Sequence, residues 1–363
     1  MSGAAPFLTL IEPESLVRHF VAHPPKGFAA GLCDTGAPFF STRFNVLTSV
    51  DETVRKRIAM LPLYSRWSHW LSPMSSFVGT TVSEYVVLPA TLSPAALVSR
   101  WLRAHGRQHL LTIVKDIPCE SPLICAAANR YAEELVRCCR SRGFVLIAGQ
   151  ALAYVRIDFE STDQYLARLS AARRKDLRRK LRSREALDIQ RFATGSATLR
   201  SPDVVAELYE LYLNVYRQST VHFDLLSAEF FAAVLADDSS EGVVFTYRHE
   251  GQLIGYNLCF VHGRKLIDKY VGFRYPQARA LNLYFVSWFQ NLEYALTHGL
   301  EFYVAGWTDA EVKRTLGAQF TWTRHAVYVR NASLRALLRA ARKWFESDER
   351  WLRQTSPDAP AHT

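Results

Sequence analysis

The alternation of strand-like and helix-like runs predicts an α/β (α+β) sandwich. Three observations carry that reading. Val243–Arg248, Leu253–Val261 and Lys265–Gly272 are apolar runs separated by the turns His249-Glu250-Gly251-Gln252 and His262-Gly263-Arg264, the pattern of a β-meander. Asn129–Arg142 and Leu281–His298 are helical runs closed by Gly143 and Gly299, which suit a left-handed C-cap. The chain has 363 residues, 49% hydrophobic and 12% aromatic, too apolar for a disordered chain and long enough for about two domains.

The elements follow in order. Phe77–Leu88 reads as a strand, polar in its middle, where alternation puts Thr81, Ser83 and Tyr85 on one face and Thr80, Val82 and Glu84 on the other. Leu97–His105 is helical, Leu110–Val114 a strand, Asn129–Arg142 a helix and Phe144–Ile147 a strand. The chain divides near residue 150. Ala153–Asp158 opens the second part as a strand, and a long basic helix spans Ser161–Arg184 with Leu166, Leu169, Leu177 and Leu181 near one face. Asp188–Phe192 (strand), Pro202–Tyr216 (helix) and Phe230–Leu235 (helical turns) precede the meander. After the helix Leu281–His298 come a strand at Glu301–Ala305, a short helix at Asp309–Thr315, a strand at Trp322–Val329 and an amphipathic helix at Ser333–Leu352.

Several classes are excluded. No apolar run reaches the roughly 18 residues of a membrane span. Phe7–Ile11 is too short for a signal-peptide core, and Glu12 and Glu14 follow it, so a cytoplasmic location is expected. The six cysteines lack Cys-x-x-Cys spacing and read as reduced thiols, with Cys138 and Cys139 on different helix faces. The 11 histidines are scattered, so no metal is expected, and neither a P-loop nor a Gly-x-Gly-x-x-Gly is present. The net charge is +10, from 35 Arg and 9 Lys against 34 acids, which predicts attraction to an anionic partner.

Helix, three-stranded meander, helix, strand, short helix, strand is an order that resembles the GNAT acyltransferase fold over Ala153–Asn331. Three stretches are similar to its FemAB-like and CelD/BcsL-like branch: Tyr165–Ser170 with Arg173–Arg182, Gly251-Gln252-Leu253-Ile254-Gly255-Tyr256, and Lys313-Arg314-Thr315-Leu316-Gly317-Ala318. The resemblance implies a mixed, mainly antiparallel sheet flanked by helices, in two tandem GNAT-like copies. Residues 1–150 are then a diverged first domain and 151–331 the acyltransferase domain, with an amphipathic helix and disordered tail over 332–363. It also implies an acyl-CoA or acetyl-CoA co-substrate. Gly272–Asn282 corresponds to the pyrophosphate loop of ordinary GNAT enzymes but has one early glycine, so Arg274, Gln277, Arg279 and Asn282 are the candidate anion holders. FemAB-like enzymes use charged tRNA instead, and that donor stays open.

Acyl transfer to an amine needs a base, donors for the oxyanion and stabilisation of the leaving group. Asp268, expected on a cleft-lining strand with Tyr270 on the same face, is a candidate base or amine anchor, and Lys269 and Tyr270 are candidate substrate contacts; a surface ion pair at the strand's polar face is the alternative. The resemblance places Lys313 where a leaving group gains negative charge; a solvated helix lysine is the alternative. Glu84 and Tyr85 are candidates for the acceptor, against an edge strand facing water. Lys115 and Asp116 end a strand and are weaker candidates. Trp307 reads as cleft wall or core, and Asp309 as a substrate contact or an N-cap. Nine basic residues between Arg168 and Arg184 suit a phosphate-rich ligand or an RNA stem, or form a solvated face. The C-terminal helix, with Leu334, Leu337, Leu338, Trp344 and Phe345, is expected to pack on the protein body rather than on a membrane.

Three functions follow: an acyl-CoA-dependent N-acyltransferase acting on a small-molecule or cell-envelope precursor amine, a FemAB-like aminoacyl-tRNA-dependent transferase, and a non-catalytic binding module on the same fold. DNA is not an expected partner.

Overall fold

The computed structural model describes residues 7–50, 52–219 and 223–342. In chain order its elements are α1 (Glu14–Ala22), β1 (Ala29–Leu32), β2 (Pro38–Arg43), α2 (Glu52–Ala59), α3 (Tyr64–Trp67), β3 (Met74–Val78), α4 (Pro94–His105), β4 (Leu111–Cys119), α5 (Ala126–Ser141) and β5 (Val145–Arg156). There follow α6 (Thr162–Ala167), α7 (Ala171–Leu181), β6 (Asp188–Ala193), α8 (Pro202–Gln218), α9 (Ala228–Ala236), β7 (Gly242–His249), β8 (Gln252–His262) and β9 (Lys265–Phe273). The last are α10 (Gln277–Ala280), α11 (Leu283–Thr297), β10 (Phe302–Gly306), α12 (Ala310–Thr315), β11 (Gln319–Val329) and α13 (Ala332–Ala341).

Contacts divide the chain into two compact units, one of residues 1–10, 27–151 and 321–363 and the other of 11–26 and 152–320. This differs from a linear division. Residues 11–26 join the second unit because α1 is tied there: His19 Nε2 lies 2.9 Å from Asp237 Oδ2, and the nearly fully buried Glu12 lies 3.5 Å from Lys269 Nζ. Residues 321–329, expected in the second domain, belong to the first unit because β11 pairs antiparallel with β4.

The second unit has the strand order β5 (second half), β10, β9, β8, β7, β6, antiparallel except for the β9–β10 pair. The meander forms as the sequence predicts. Helix α11 packs through Leu283, Val286, Phe289 and Leu292 on a sheet face that includes Phe245, Tyr247, Leu266 and Phe273. Helices α8 and α9 cover the other face. The predicted long basic helix is two helices and a 3-10 turn. Ser161 caps α6 by accepting from Gln164 N at 3.1 Å, and Ser170 starts α7 afresh by accepting from Arg173 N at 3.5 Å.

The first unit orders β1, β2, β3, β4, β11 and the first half of β5, with a parallel β3–β4 pair. Its core gathers Val78, Leu97, Trp101, Ile117, Leu135 and Phe144. The strand expected over Phe77–Leu88 ends at Val78. Gly79 turns at φ +119°, and Thr80 Oγ1 then accepts from Val82 N and Ser83 N, closing a buried turn instead of a water-facing edge strand. The strands expected at Phe144–Ile147 and Ala153–Asp158 are one strand, β5.

Helix α13 departs from expectation. None of its residues is buried, Leu334 and Leu337 are exposed, and Arg335 holds it by donating to Val329 O at 2.8 Å and stacking over Tyr328. Trp344 and Phe345 lie outside the described residues. All six cysteines are free, with Cys139 buried and Cys138 half-buried. Among the described residues no helix is long and apolar enough to cross a membrane.

Removing Glu12 takes an opposing charge away from the buried Lys269 ammonium. Glu12→Ala is expected to destabilise the protein by about 3–5 kcal/mol, read as a lower midpoint in urea unfolding.

Candidate active site

The parallel strands β9 and β10 pair only at Lys265–Phe302, Leu266–Tyr303 and Ile267–Val304, and then part. Asp268 is the first β9 residue past the fork; Ala305 and Gly306 are the first on β10. Both strands bulge at this point. On β9 the register with β8 jumps from Cys259–Asp268 to Leu258–Tyr270, leaving Lys269 as the extra residue. On β10 the register with β5 skips Ala305. Such bulges re-aim side chains and free backbone groups.

Asp268 is surrounded by donors and still keeps part of its surface open to solvent. Asn257 Nδ2 donates to both carboxylate oxygens at 3.2 Å, Asn291 Nδ2 to Oδ2 at 2.9 Å, Tyr303 Oη to Oδ2 at 3.1 Å and Cys259 Sγ to Oδ1 at 3.6 Å. Burial raises its pKa, opposed by the bonds from Asn257 and Tyr303 and by the positive charge of Lys313. The buried Lys313, on α12, donates from Nζ to the carbonyl of the bulged Ala305 at 2.5 Å. Gly306, at φ +80°, sits between them: a Cβ there would lie 3.8 Å from Asp268 O and 3.9 Å from Lys313 Nζ. Tyr284, on α11, has a buried hydroxyl with no hydrogen-bond partner among the described residues, and its pKa is raised by burial and by the charges of Asp309 and Asp268. The fork thus gathers a proton acceptor and a cation, and the Tyr284 hydroxyl lies within the electrostatic reach of Asp268.

Other expected residues fall elsewhere. The bulge at Lys269 puts Tyr270 on the face opposite Asp268, against Phe230 and Phe231 at ring distances of 6.0 and 5.4 Å. That corrects the expectation of a shared face. Lys269 is held by Glu12 rather than by Asp268. Asp309 is exposed at the N-cap of α12 in a left-handed conformation, and its side chain makes no capping bond. Trp307 is half-buried beside it.

In the stretch 272–282, a Cβ on Gly272 would fall 2.2 Å from Tyr256 Cε1 and 2.7 Å from Leu211 Cβ, so this glycine serves packing. Arg274 donates to Leu253 O at 3.0 Å and pairs with Glu207 at 3.6 Å. Arg279 donates to Gln218 Oε1 at 2.7 Å and covers the Tyr275 ring. Asn282 donates to Ser183 Oγ at 3.1 Å, and its carbonyl accepts from Phe285 N and Val286 N. Gln277 Oε1 is buried without a partner among the described residues.

Glu84 and Tyr85 lie inside the first unit, both buried. Tyr85 Oη is 2.7 Å from Ser121 Oγ, Lys115 pairs with Asp116 and donates to Thr80 O at 3.1 Å, and Val86 N donates to Asp116 O at 2.9 Å. His325, its pKa lowered by burial, accepts from Asp116 N at 3.0 Å. The segment after Val78 therefore fills this region with its own chain.

On the basic run, Arg168 pairs with Asp158, Arg178 with Asp163, Arg179 and Lys180 with Asp176, and Arg184 with Glu293. Arg174 donates to the carbonyls of Ala167 and Leu169, closing α6. Arg173, Lys175 and Arg182 are exposed with no ion-pair partner among the described residues. A groove of about 610 Å³ is lined by Ala171, Arg174, Lys175, Arg178, Arg179 and Arg182.

Asn257, Asn291, Tyr303 and Tyr284 were not singled out by the sequence. The available signal was polarity in the wrong place: Asn257 interrupts an apolar strand, and Asn291 sits on the apolar side of a helix.

Comparison with known families places residues 94–358 in a family model, FemAB-like, described as peptidoglycan biosynthesis/recognition. The match spans well over half of the chain, and the protein belongs to that family. Among solved structures, L-PGS from Bacillus licheniformis has a similar fold, with 10% identity, a TM-score of 0.55 and coverage of 93% of this chain and 98% of that one. FemX is similar at 11% identity and a TM-score of 0.51, covering 90% and 98%. A C-terminal domain from Agrobacterium fabrum, described as that of a lysylphosphatidylglycerol synthetase, is similar at 12% identity and a TM-score of 0.54, covering 90% and 96%. No curated protein sequence matches.

Because the folded state raises the pKa of Asp268, the native protein holds its proton at pH values where the unfolded chain has released it. This group's contribution to stability therefore falls as pH rises from the unfolded pKa to the folded one. Asp268→Asn is expected to remove that decline, keeping the midpoint at pH 7 at or above that of the parent, while lowering any transfer rate by at least about tenfold. Thermal midpoints from pH 4 to 8 and a turnover assay read the two effects separately.

Proposed function

We propose that the protein is an aminoacyl transferase that moves an aminoacyl group from charged tRNA to an amine of a cell-envelope precursor. The observation that carries this reading is a contrast within the second unit. The Arg and Asn side chains of the stretch 272–282 are bonded within the protein. The groove beside α7 leaves Lys175 and Arg182 for an external anion, and Arg173 is exposed on the same helix. Membership of the FemAB-like family supports the same donor, and that family's description, peptidoglycan biosynthesis/recognition, fits a cell-envelope acceptor.

In the proposed chemistry the acceptor amine attacks the ester carbonyl that joins the amino acid to the terminal ribose. A nitrogen–carbon bond forms and the carbon–oxygen bond to ribose breaks. Asp268 takes the proton that the amine loses, a role suited to a carboxylate whose pKa burial has raised. The Lys313 ammonium offsets the negative charge on the departing ribose oxygen, and the proton returns there. Tyr284, its hydroxyl lacking a partner, supplies a donor for the oxyanion.

An acyl-CoA-dependent N-acyltransferase is the second reading, favoured by Gln277, whose buried oxygen faces no partner in the expected pyrophosphate stretch. Two measurements separate the readings. Charged tRNA is expected to bind with a steep salt dependence, and the triple variant Arg173→Ala, Lys175→Ala, Arg182→Ala to lower the slope of log K against log salt by roughly 3 units. Acetyl-CoA and longer acyl-CoAs are expected to leave the thermal midpoint unchanged. A rise matching the roughly 2.7 kcal/mol of a ligand at a hundred times its dissociation constant would transfer the assignment to acyl-CoA. Lys313→Ala is expected to lower turnover by at least about tenfold with tRNA affinity retained, measured by transfer and filter binding.

A further inference from the structure

From Thr53 to Met74, 22 consecutive residues of the first unit, no residue is buried. This is not a polar loop. It contains Val54, Ile58, Met60, Leu61, Leu63, Tyr64, Trp67, Trp70, Leu71 and Met74. Met60 is 84% exposed, Trp70 74%, Leu63 63% and Leu61 50%, and five of the eight large hydrophobic side chains exposed in the described structure fall between residues 60 and 74. Single exposed leucines need no explanation, whereas a cluster this dense does.

The segment has its own internal order. Helix α2 leads into a turn in which Trp67 Nε1 donates to Pro62 O at 3.1 Å and the Tyr64 and Trp67 rings meet edge to face at 5.2 Å. These contacts hold the turn while Leu61, Leu63 and Trp70 stay outside it. Leu63 sits at φ +57°, a left-handed conformation that a branched side chain adopts only under constraint.

Charge selects the occupant. Between residues 53 and 74 the chain carries Arg55, Lys56, Arg57 and Arg66 and no acid. Basic residues beside exposed Leu, Met and Trp match an anionic lipid surface: the apolar groups enter the acyl boundary, the indole lies at headgroup level and the cations meet lipid phosphates. A protein partner or a second copy would ask for a complementary apolar face, and nothing in the composition of this chain, at net +10, favours self-association through a basic patch.

We infer that residues 53–74 dock the protein on the surface of an anionic bilayer, without crossing it. The inference stands whatever group the second unit transfers.

The test is co-sedimentation of the full chain with vesicles of phosphatidylcholine alone or with phosphatidylglycerol, at low and high salt. Binding is expected only with the anionic lipid, weakening as salt rises. Leu63→Ser with Trp70→Ser is expected to lower the partition coefficient at least about tenfold, since each side chain loses its apolar burial in the lipid. Arg55→Glu with Arg57→Glu is expected to abolish the preference for anionic lipid while leaving the apolar groups in place. None of these side chains is buried, so unchanged thermal midpoints confirm that the variants fold. No binding by the parent overturns the inference, as does undiminished binding by both variants. Binding lost instead through Leu337→Ser moves the contact to α13 and overturns it too. A parent dimer that Leu63→Ser with Trp70→Ser dissociates, without vesicle binding, would make the patch a subunit interface.

Discussion

A half-buried carboxylate at the point where two parallel strands stop pairing is the constraint that the second unit is built around. Left alone, Asp268 would be costly at this depth. The surroundings answer with donors from three elements: Asn257 on β8, Asn291 on α11 and Tyr303 on β10. Those polar residues occupy positions that an apolar core would otherwise fill. The bulges at Lys269 and Ala305 belong to the same arrangement, one keeping Asp268 toward α11 and the other turning a carbonyl toward Lys313.

The first unit contains the same device in a closed form. Its parallel pair, β3 and β4, also ends abruptly, at Val78–Val114, and the register of β4 with β11 is irregular at Lys115 and Asp116. Here the chain after Gly79 enters the opening, with Val86 and Thr80 bonded to Asp116 and Lys115. Glu84 and Tyr85 are part of that plug. The Tyr85 hydroxyl serves an internal hydrogen bond to Ser121, and both residues are buried. Each unit thus contains a parallel pair that stops pairing partway along its strands.

The basic run divides its labour by partner. Most of its cations close helix ends or join carboxylates, and exposed pairs of this kind contribute little to stability. Of the remaining ones, Lys175 and Arg182 line one groove and Arg173 is exposed. A helix with so many like charges is tolerable because Asp158, Asp163, Asp176 and Glu293 neutralise part of it and because Leu177 anchors it in the core.

Local pattern determined much of this protein. The meander, the glycine-closed helices α5 and α11 and the position of Lys313 before Gly317 were all legible, because turn residues and apolar periodicity act over a few neighbours. Asp268 was legible as a carboxylate in an apolar strand. Its partners were not, since Asn257, Asn291 and Tyr303 come from segments up to 46 residues apart and meet only once the sheet is formed. Sequence alternation also placed Tyr270 beside Asp268, because period 2 assumes an unbroken register and the bulge at Lys269 breaks it. The strand expected over Thr80–Leu88 failed for a similar reason: Gly79 turns the chain, and backbone pairing with β4 then holds it as a plug. The sequence by itself determined the meander, the glycine-closed helices and which charges the protein carries. Only the tertiary structure decided which of those charges are sealed inside and which are presented, because burial depends on what the rest of the chain brings alongside.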